Sequence, residues 1–216
     1  MIGILRHGKT DWNVLHKIQG RTDIPLNEEG ISSAKGSKEM VASCGFDICY
    51  VSPLIRARQT AEIITEDLDI EVNIDDRMTE IGFGESEGAE GVYGKPDHPL
   101  YKFFFDPANY VAQNGAESID DLFFRIKNFY DDVLKQLIFD NKNVLLVAHG
   151  AFNAGLITFL LGNEKKDFWS YGQSNCSMFR FYPDDIKRTK EENKSTYVKQ
   201  MTIKDIEAGI YKKATE

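Results

Sequence analysis

Residues 1–8, MIGILRHG, pass directly from an apolar run into a cation, a histidine and a glycine. A short apolar run of this kind is typical of a strand that is buried on both faces of a parallel sheet. The same arrangement recurs in NVLLVAHG, residues 143–150, where the apolar run ends in His149 and Gly150. The sequence therefore predicts two buried strands, each followed at its carboxyl end by a histidine.

Strand patterns alternate with helical patterns along most of the chain, and Asn27 and Gly162 stand where helix caps are expected. The alternation predicts an α/β fold, with a mostly parallel central sheet and helices on both faces. Because ligands bind at the carboxyl ends of the strands in such sheets, His7 and His149 are expected to meet over one crevice. The remaining predicted elements are strands at 46–52 and 70–75, helices at 27–43, 53–68, 117–140 and 150–161, and two late edge strands at 176–183 and 195–203.

The domain organisation follows from length and periodicity. A chain of 216 residues can bury one sizeable hydrophobic core. Residues 81–116 lack regular periodicity, are rich in glycine and proline, and contain three consecutive phenylalanines at 103–105. We therefore predict a single domain over 1–216 with a lid or insertion at 81–116.

The composition indicates which kinds of binding partner and which cellular compartment to expect. Acidic residues outnumber basic ones, 34 to 26, and the resulting net charge of -8 disfavours general affinity for nucleic acid or an anionic membrane. No apolar run approaches the roughly 20 residues that span a bilayer. The three cysteines are odd in number and form no CxxC motif, so free thiols and a cytoplasmic location are expected.

The residues near the two histidines suit a phosphoryl group. Arg6 adjoins His7, and Arg56 lies at the start of the helix that follows the second strand, where an arginine can bind phosphate oxygens in two-pronged fashion. A neutral imidazole is a good nucleophile toward phosphorus, because it carries no charge that repels the anion. Gly150, like Gly8, allows the backbone to approach a ligand closely.

Hydrolysis also needs a proton donor for the leaving group, and Glu80, Glu85 and Glu87 are the candidates. Other interpretations of these residues stay open on the residues alone. The glutamates could form a plain acidic loop, and a histidine at a strand end is more often structural than catalytic. A metal site is disfavoured, because His7 and His149 lack histidine or carboxylate partners at ligand spacing.

The motifs in order are LRHGKTDWN, QGRTDIPLNEEG, SPLIRARQTAEII, TEIGFGESEG and VAHG, which lie within residues 5–150. Together they resemble the histidine phosphatase superfamily, also called the phosphoglycerate mutase-like family. The resemblance implies the three-layer α/β fold and catalysis without a metal. We expect a small phosphate ester as the substrate and no cofactor. Lys9 departs from the family pattern, in which many members have an acidic residue or glutamine, and would add positive charge at the pocket mouth.

The resemblance also implies roles for individual residues. His7 matches the histidine that becomes phosphorylated, and Glu80 matches the proton donor. Glu87 matches a family position near the pocket. The other matched positions form the phosphate pocket, namely Arg6, Arg56 and His149, or line the phosphate or substrate site, namely Asn13, Gln19 and Gly20.

Within this family the main division is between phosphatases and mutases that depend on a bisphosphate cofactor. Residues 81–116 hold no arginine and the two lysines Lys95 and Lys102, against a larger number of acids and aromatic residues. This composition disfavours a multiply anionic cofactor and favours a phosphatase, with a phosphoglycerate mutase as the alternative. A module that binds phosphorylated ligands without turnover is a third possibility, although binding alone requires neither a nucleophile nor an acid.

Overall fold

A computed structural model of the chain describes residues 1–182. Within these residues the strands form one sheet, and the helices flank it. The strands are β1 (Ile2–Arg6), β2 (Ile48–Val51), β3 (Glu71–Ile74), β4 (Val144–Ala148) and β5 (Met178–Phe181). The α-helices are α1 (Asp11–Val14), α2 (Glu28–Gly36), α3 (Lys38–Ala42), α4 (Ile55–Thr65), α5 (Tyr101–Phe105), α6 (Ile119–Phe129), α7 (Lys135–Phe139) and α8 (Gly150–Leu161).

The sheet has the strand order β3-β2-β4-β1-β5. All neighbouring strands are parallel except β1 and β5, which are antiparallel. Arg6 in β1 pairs with Ala148 in β4, and Val51 in β2 pairs with Val147 in β4. The carboxyl ends of three adjacent strands therefore lie level with one another, as the sequence predicted for β1 and β4.

Both faces of the sheet are covered, which confirms the predicted α/β sandwich. Side chains alternate along β4, so that Leu146 packs into the cluster formed by α6 and α8, while Val147 packs into the cluster formed by α2, α3 and α4. Strands β1 and β4 are buried almost throughout, which is the reason for their continuous apolar sequence.

Two predicted helices are interrupted, which corrects the boundaries given by periodicity. The helix expected over 27–43 begins after its Asn27 cap but breaks at Ser37, whose hydroxyl donates to the carbonyl of Ser33 at 2.9 Å. A hydroxyl bonded in this way competes with the helical backbone and bends the helix. The helix expected over 117–140 runs as α6 and α7 with a π-helical turn, Tyr130–Leu134, between them.

Residues 81–116 form short turns and the single α-helix α5. Phe83 and Phe103 are buried in the main hydrophobic cluster, whereas Phe105 is 55% exposed. The segment therefore contributes to the core, and its description as a lid or insertion stays a prediction.

The late strand predicted at 176–183 is β5, an edge strand of the sheet. The strand predicted at 195–203 lies outside the described residues. None of the helices within 1–182 has the length and apolar character to cross a membrane.

Candidate active site

His7 directly follows β1 and is 3% exposed. Its backbone N–H donates to the carbonyl of Ala148 at 3.0 Å, which continues the pairing of β1 with β4. Its Nδ1 lies 2.6 Å from the carbonyl oxygen of Gly8. Because a carbonyl only accepts hydrogen bonds, the proton of the neutral ring sits on Nδ1, and Nε2 keeps a lone pair.

His149 follows β4 and is completely buried. Its ring centroid lies 5.2 Å from that of His7, with an angle of 57° between the planes. Its Nε2 lies 2.6 Å from Oγ of Ser52, the residue that follows β2. This contact fixes the ring orientation and leaves Nδ1 available to a ligand.

Arg6 is the last residue of β1 and is held by the chain that precedes β5. Its Nη1 donates to the carbonyl of Gln173 at 2.5 Å. The side-chain amide of Gln173 donates in turn to the carbonyls of Ile4 and Ser177. Asn175 supports the next residue, because its Nδ2 donates to the carbonyl of His7 at 2.9 Å.

Arg56 lies in the first turn of α4 and is 1% exposed. Its Nη2 donates to the carbonyl of Gly20 at 2.7 Å, and its Nη1 donates to the carbonyl of Thr22 at 2.9 Å. Two neutral carbonyls thus orient the guanidinium without cancelling its charge, so the charge remains available to an anion.

Unpaired nitrogen atoms mark the place where an anion fits. Among the described residues, Nε of Arg6, Nε of Arg56 and Nδ1 of His149 are buried without a hydrogen-bond partner. Buried polar groups are normally hydrogen-bonded, and an unpaired one at a site calls for an explanation. A phosphoryl group, which offers several acceptor oxygens, would satisfy all three.

The electrostatics keep both histidines neutral. Burial lowers the pKa of His7 well below its ordinary 6.5, and the charges of Arg56 and Arg6 lower it further. Burial and the charge of Arg56 likewise lower the pKa of His149. Burial lowers the pKa of Arg56 to about 10, and Glu80 opposes this shift, so the guanidinium stays charged at neutral pH.

Glu80 reaches the same strand end from a different part of the chain and is 8% exposed. Its Oε1 accepts from the N–H of Phe152 at 2.8 Å and of Ile81 at 3.0 Å, and its Oε2 accepts from the N–H of Ala151 at 3.0 Å. The carboxylate therefore caps α8, whose own cap residue His149 makes no capping bond. Glu85, in contrast, is exposed.

Asn13 and Gln19 meet at Thr10, which is completely buried. Oδ1 of Asn13 accepts from the N–H of Thr10 at 3.1 Å, and Oε1 of Gln19 accepts from its hydroxyl at 3.0 Å. Oδ1 of Asn13 is also 3.5 Å from Nδ2 of Asn175, the side chain that supports His7. The structure thus connects these two predicted residues to the His7 backbone.

The two predicted glycines of the substrate site differ in their surroundings. Gly20 has φ +56°, and a Cβ there would lie 2.1 Å from Oε1 of Glu87. Gly150 begins α8, and a Cβ there would lie 3.5 Å from the guanidinium carbon of Arg6, which is ordinary contact. Among the protein atoms, a Cβ is therefore excluded at position 20 and tolerated at position 150, and the close approach of a ligand to Gly150 stays a prediction.

Lys9 does not add a free positive charge at the pocket mouth. Its ammonium forms an ion pair with Glu29, and both side chains are partly exposed. Tyr93, one of the aromatic residues of 81–116, lies near the phosphate pocket, since its phenol interacts with the charge of Arg6. The Tyr93 ring is 52% exposed and lies 4.7 Å from that of Phe104, measured between centroids.

Several residues of this site were missed by the sequence analysis. Ser52 could have been found, because it follows β2 as His149 follows β4. Gln173 and Asn175 act through hydrogen bonds across more than 160 positions of sequence, and no local pattern signals such contacts.

The chain is similar to known proteins in both sequence and fold. A family model described as the histidine phosphatase superfamily (branch 1) matches residues 2–194. A solved structure of phosphoserine phosphatase from Entamoeba histolytica, in complex with 3-phosphoglyceric acid, superposes with a TM-score of 0.71 at 34% identity and covers 83% of this chain and 90% of its own.

Curated relatives include both phosphatases and phosphoglycerate mutases. The uncharacterized phosphatase PhoE of Bacillus subtilis is 36% identical over 74% of this chain and 77% of its own length. An Arabidopsis thaliana protein named "Probable 2-carboxy-D-arabinitol-1-phosphatase" is 33% identical over 83% of this chain, and the chain spans 38% of the length of that relative.

Proposed function

This chain belongs to the histidine phosphatase superfamily (branch 1), and we propose that it hydrolyses phosphate monoesters through a phosphohistidine formed on His7. The phosphatase names of the relatives support a phosphomonoester hydrolase. The observation that carries the role of His7 is its hydrogen bond from Nδ1 to the carbonyl of Gly8, which leaves a lone pair on Nε2 of a neutral, buried ring.

In the first step, Nε2 of His7 attacks phosphorus and the ester P–O bond breaks. The negative charge on the transferring phosphoryl oxygens is stabilised by Arg6, Arg56 and the Nδ1–H of His149, and the buried, unpaired nitrogen of each side chain supports this role. Glu80, in its protonated form, gives its proton to the departing alkoxide oxygen, so the alcohol leaves neutral.

In the second step, water attacks the phosphohistidine. Glu80, now a carboxylate, accepts a proton from that water as the P–N bond breaks. The bonding pair returns to Nε2, inorganic phosphate is released, and His7 is restored as a neutral imidazole. One difficult displacement is thereby divided into two easier ones.

A small phosphorylated metabolite is the proposed substrate class. The alcohol part would lie toward 81–116, where the half-exposed ring of Tyr93 offers an apolar surface beside Arg6. The lack of arginine in that segment supports a phosphatase over a bisphosphate-dependent mutase. A cytoplasmic location stays a prediction, which cell fractionation would test.

The function is tested with purified protein in EDTA and a panel of esters that contains phosphoserine, 3-phosphoglycerate and p-nitrophenyl phosphate. We expect phosphate release from several esters, its loss in His7→Ala, and full activity in His16→Asn, which changes an exposed histidine. Full activity of His7→Ala would contradict the mechanism. Isomerisation of 3-phosphoglycerate that requires 2,3-bisphosphoglycerate, without phosphate release, would establish the mutase instead.

A further inference from the structure

Glu87 takes no part in the reaction described above. Its side chain is only partly buried, yet its carboxylate accepts four hydrogen bonds. It follows a 3-10 turn, Gly84–Ser86, at the rim of the site. Its Oε1 accepts from the N–H groups of Arg21 at 2.9 Å and Phe83 at 3.1 Å. Its Oε2 accepts from the N–H of Thr22 at 2.8 Å and from the Thr22 hydroxyl at 2.5 Å.

These bonds fix the short loop that holds Arg56. The loop places the carbonyls of Gly20 and Thr22 on the two terminal nitrogens of the Arg56 guanidinium. Glu87 binds the amide of Arg21, which lies between the two carbonyls, and both polar groups of Thr22. The backbone of residues 20–22 thus lies between the two side chains, and the orientation of Arg56 depends on Glu87 through it.

The conformation of Gly20 shows how closely the loop and the carboxylate fit. Gly20 has φ +56°, and a Cβ there would lie 2.1 Å from Oε1 of Glu87. Because Gly20 has no Cβ, the carboxylate of Glu87 can reach the backbone amides of Arg21 and Thr22.

We propose that Glu87 is a positioning residue, which sets the guanidinium of Arg56 for phosphoryl binding through the loop that contains Gly20 and Thr22. The inference rests on the proposed function, in which Arg56 binds the phosphoryl group. The negative charge of Glu87 also acts on Arg56 directly, since it favours the protonated guanidinium.

The loop has a second attachment that does not involve this side chain. The N–H of Ile18 donates to the carbonyl of Ala89 at 3.0 Å, and the N–H of Gly88 donates to the carbonyl of Ile18 at 2.7 Å. A change at Glu87 is therefore expected to loosen the loop locally and to leave the fold intact.

The test is a double-mutant cycle with Glu87→Gln and Arg56→Lys, measured as kcat and KM for p-nitrophenyl phosphate. An amide offers one acceptor oxygen where the carboxylate offers two, and its NH₂ group faces donors. We expect Glu87→Gln to lower kcat/KM about 10- to 100-fold, the scale of a small misplacement of a binding group. In the Arg56→Lys background the same change should have little further effect. Equal losses in both backgrounds would overturn the proposal.

Two further variants provide a comparison for the loss of kcat/KM expected in Glu87→Gln. Thr22→Val removes one of the four hydrogen bonds and should cost less than Glu87→Gln. Glu90→Gln changes a neighbouring carboxylate, largely exposed and paired with Lys17, and should leave kcat/KM unchanged. A loss in Glu90→Gln as large as in Glu87→Gln would indicate a general charge effect and contradict the proposal.

A measurement that does not depend on catalysis tests the positioning role independently of the proposed function. The Nε–H signal of Arg56 in nitrogen-15 NMR is assigned by its loss in Arg56→Lys. We expect that signal to exchange slowly with water in the unmodified protein and at least ten times faster in Glu87→Gln. If the protein hydrolyses no ester but exchange accelerates, the proposed function fails and the positioning role stands. Unchanged exchange would overturn the positioning role.

Discussion

The imidazole rings of His7 and His149 lie 5.2 Å apart between centroids, at the ends of two adjacent parallel strands. Neither ring faces a carboxylate in the contacts described for it; each is hydrogen-bonded to a neutral oxygen, of Gly8 and of Ser52. Buried rings without a negative partner, close to two arginines, lose protons readily. Both rings are therefore neutral at physiological pH, as a nucleophile and a proton-donating Nδ1–H require.

The first prediction concerns the pH dependence of the rate. Because burial lowers the pKa of His7 well below 6.5, the nucleophile stays neutral as the pH falls through 6.5. We expect kcat/KM for p-nitrophenyl phosphate, whose leaving group departs without a proton, to keep its value between pH 7 and pH 6, after correction for ionisation of the substrate, and to fall only at lower pH. A descending limb centred at pH 6.5 would show that His7 titrates as an exposed histidine and would contradict this electrostatic account.

The second prediction concerns stability. In the folded chain the pKa values of His7 and His149 are lowered. Above pH 6.5 these two rings are therefore neutral in both the folded and the unfolded chain, and they do not make the free energy of unfolding depend on pH. As the pH falls below 6.5, only the unfolded chain takes up protons. The free energy of unfolding should then decrease by at most about 1.4 kcal/mol per pH unit for each histidine.

Urea unfolding at pH 7.5, 6.5 and 5.5 would measure this slope. His149→Gln should reduce it, because one histidine no longer gains a proton on unfolding. His16→Asn, which changes an exposed histidine, is the matched control. The same slope in His149→Gln as in the unmodified protein would count against a neutral, buried His149.

The third prediction concerns Ser52. Ser52→Ala removes the hydroxyl that lies 2.6 Å from Nε2 of His149, so the ring can turn and Nδ1 no longer faces the phosphoryl group. We expect kcat to fall about 10- to 100-fold, as for other misplaced catalytic groups. Ser43→Ala, at an exposed serine that bonds only within its own turn, is the matched control and should keep full activity. Undiminished kcat in Ser52→Ala would exclude an orienting role.

The parts of this fold that follow from local sequence were predictable. The continuous apolar runs of β1 and β4 indicate burial on both faces, and burial on both faces is typical of a parallel sheet covered by helices. Parallel neighbours place their carboxyl ends together, which brings His7 and His149 to one crevice without any knowledge of side-chain contacts. The Asn27 cap was predictable for the same reason, because its partner Gly30 is three residues away.

The remaining parts depend on contacts that cross the chain. The break falls at Ser37, whose hydroxyl bonds to the carbonyl of Ser33, and helix periodicity does not register its position. The support of Arg6 by Gln173 joins residues that are 167 positions apart. Glu80 matches the proton donor only through the family resemblance, and its position as a cap of α8 is a tertiary contact.

The fourth prediction tests Glu80 as the proton donor. A donor matters most when the leaving oxygen is strongly basic, since p-nitrophenolate departs without a proton and an alkoxide does not. Glu80→Gln should therefore reduce kcat for an alkyl phosphate such as phosphoserine at least ten times more than for p-nitrophenyl phosphate. Equal losses with both esters would show that Glu80 acts through the cap of α8 alone. The melting temperature of the variant reports that capping role separately.

The fifth prediction uses two glycines with similar backbones and different surroundings. Gly20 and Gly45 have φ values of +56° and +61°, so alanine is strained at both positions, by about 1 to 2 kcal/mol. A Cβ at Gly45 meets nothing within 4 Å, whereas a Cβ at Gly20 lies 2.1 Å from Oε1 of Glu87. Gly45→Ala should therefore lower stability and keep activity.

Gly20→Ala should lower stability further and also reduce kcat/KM, because the clash displaces the carbonyl that binds Arg56. Urea unfolding and steady-state kinetics on both variants make the comparison. Equal losses of stability, with activity intact in both variants, would show that the loop accommodates the methyl group. Its fit to the carboxylate of Glu87 would then have no bearing on the position of Arg56.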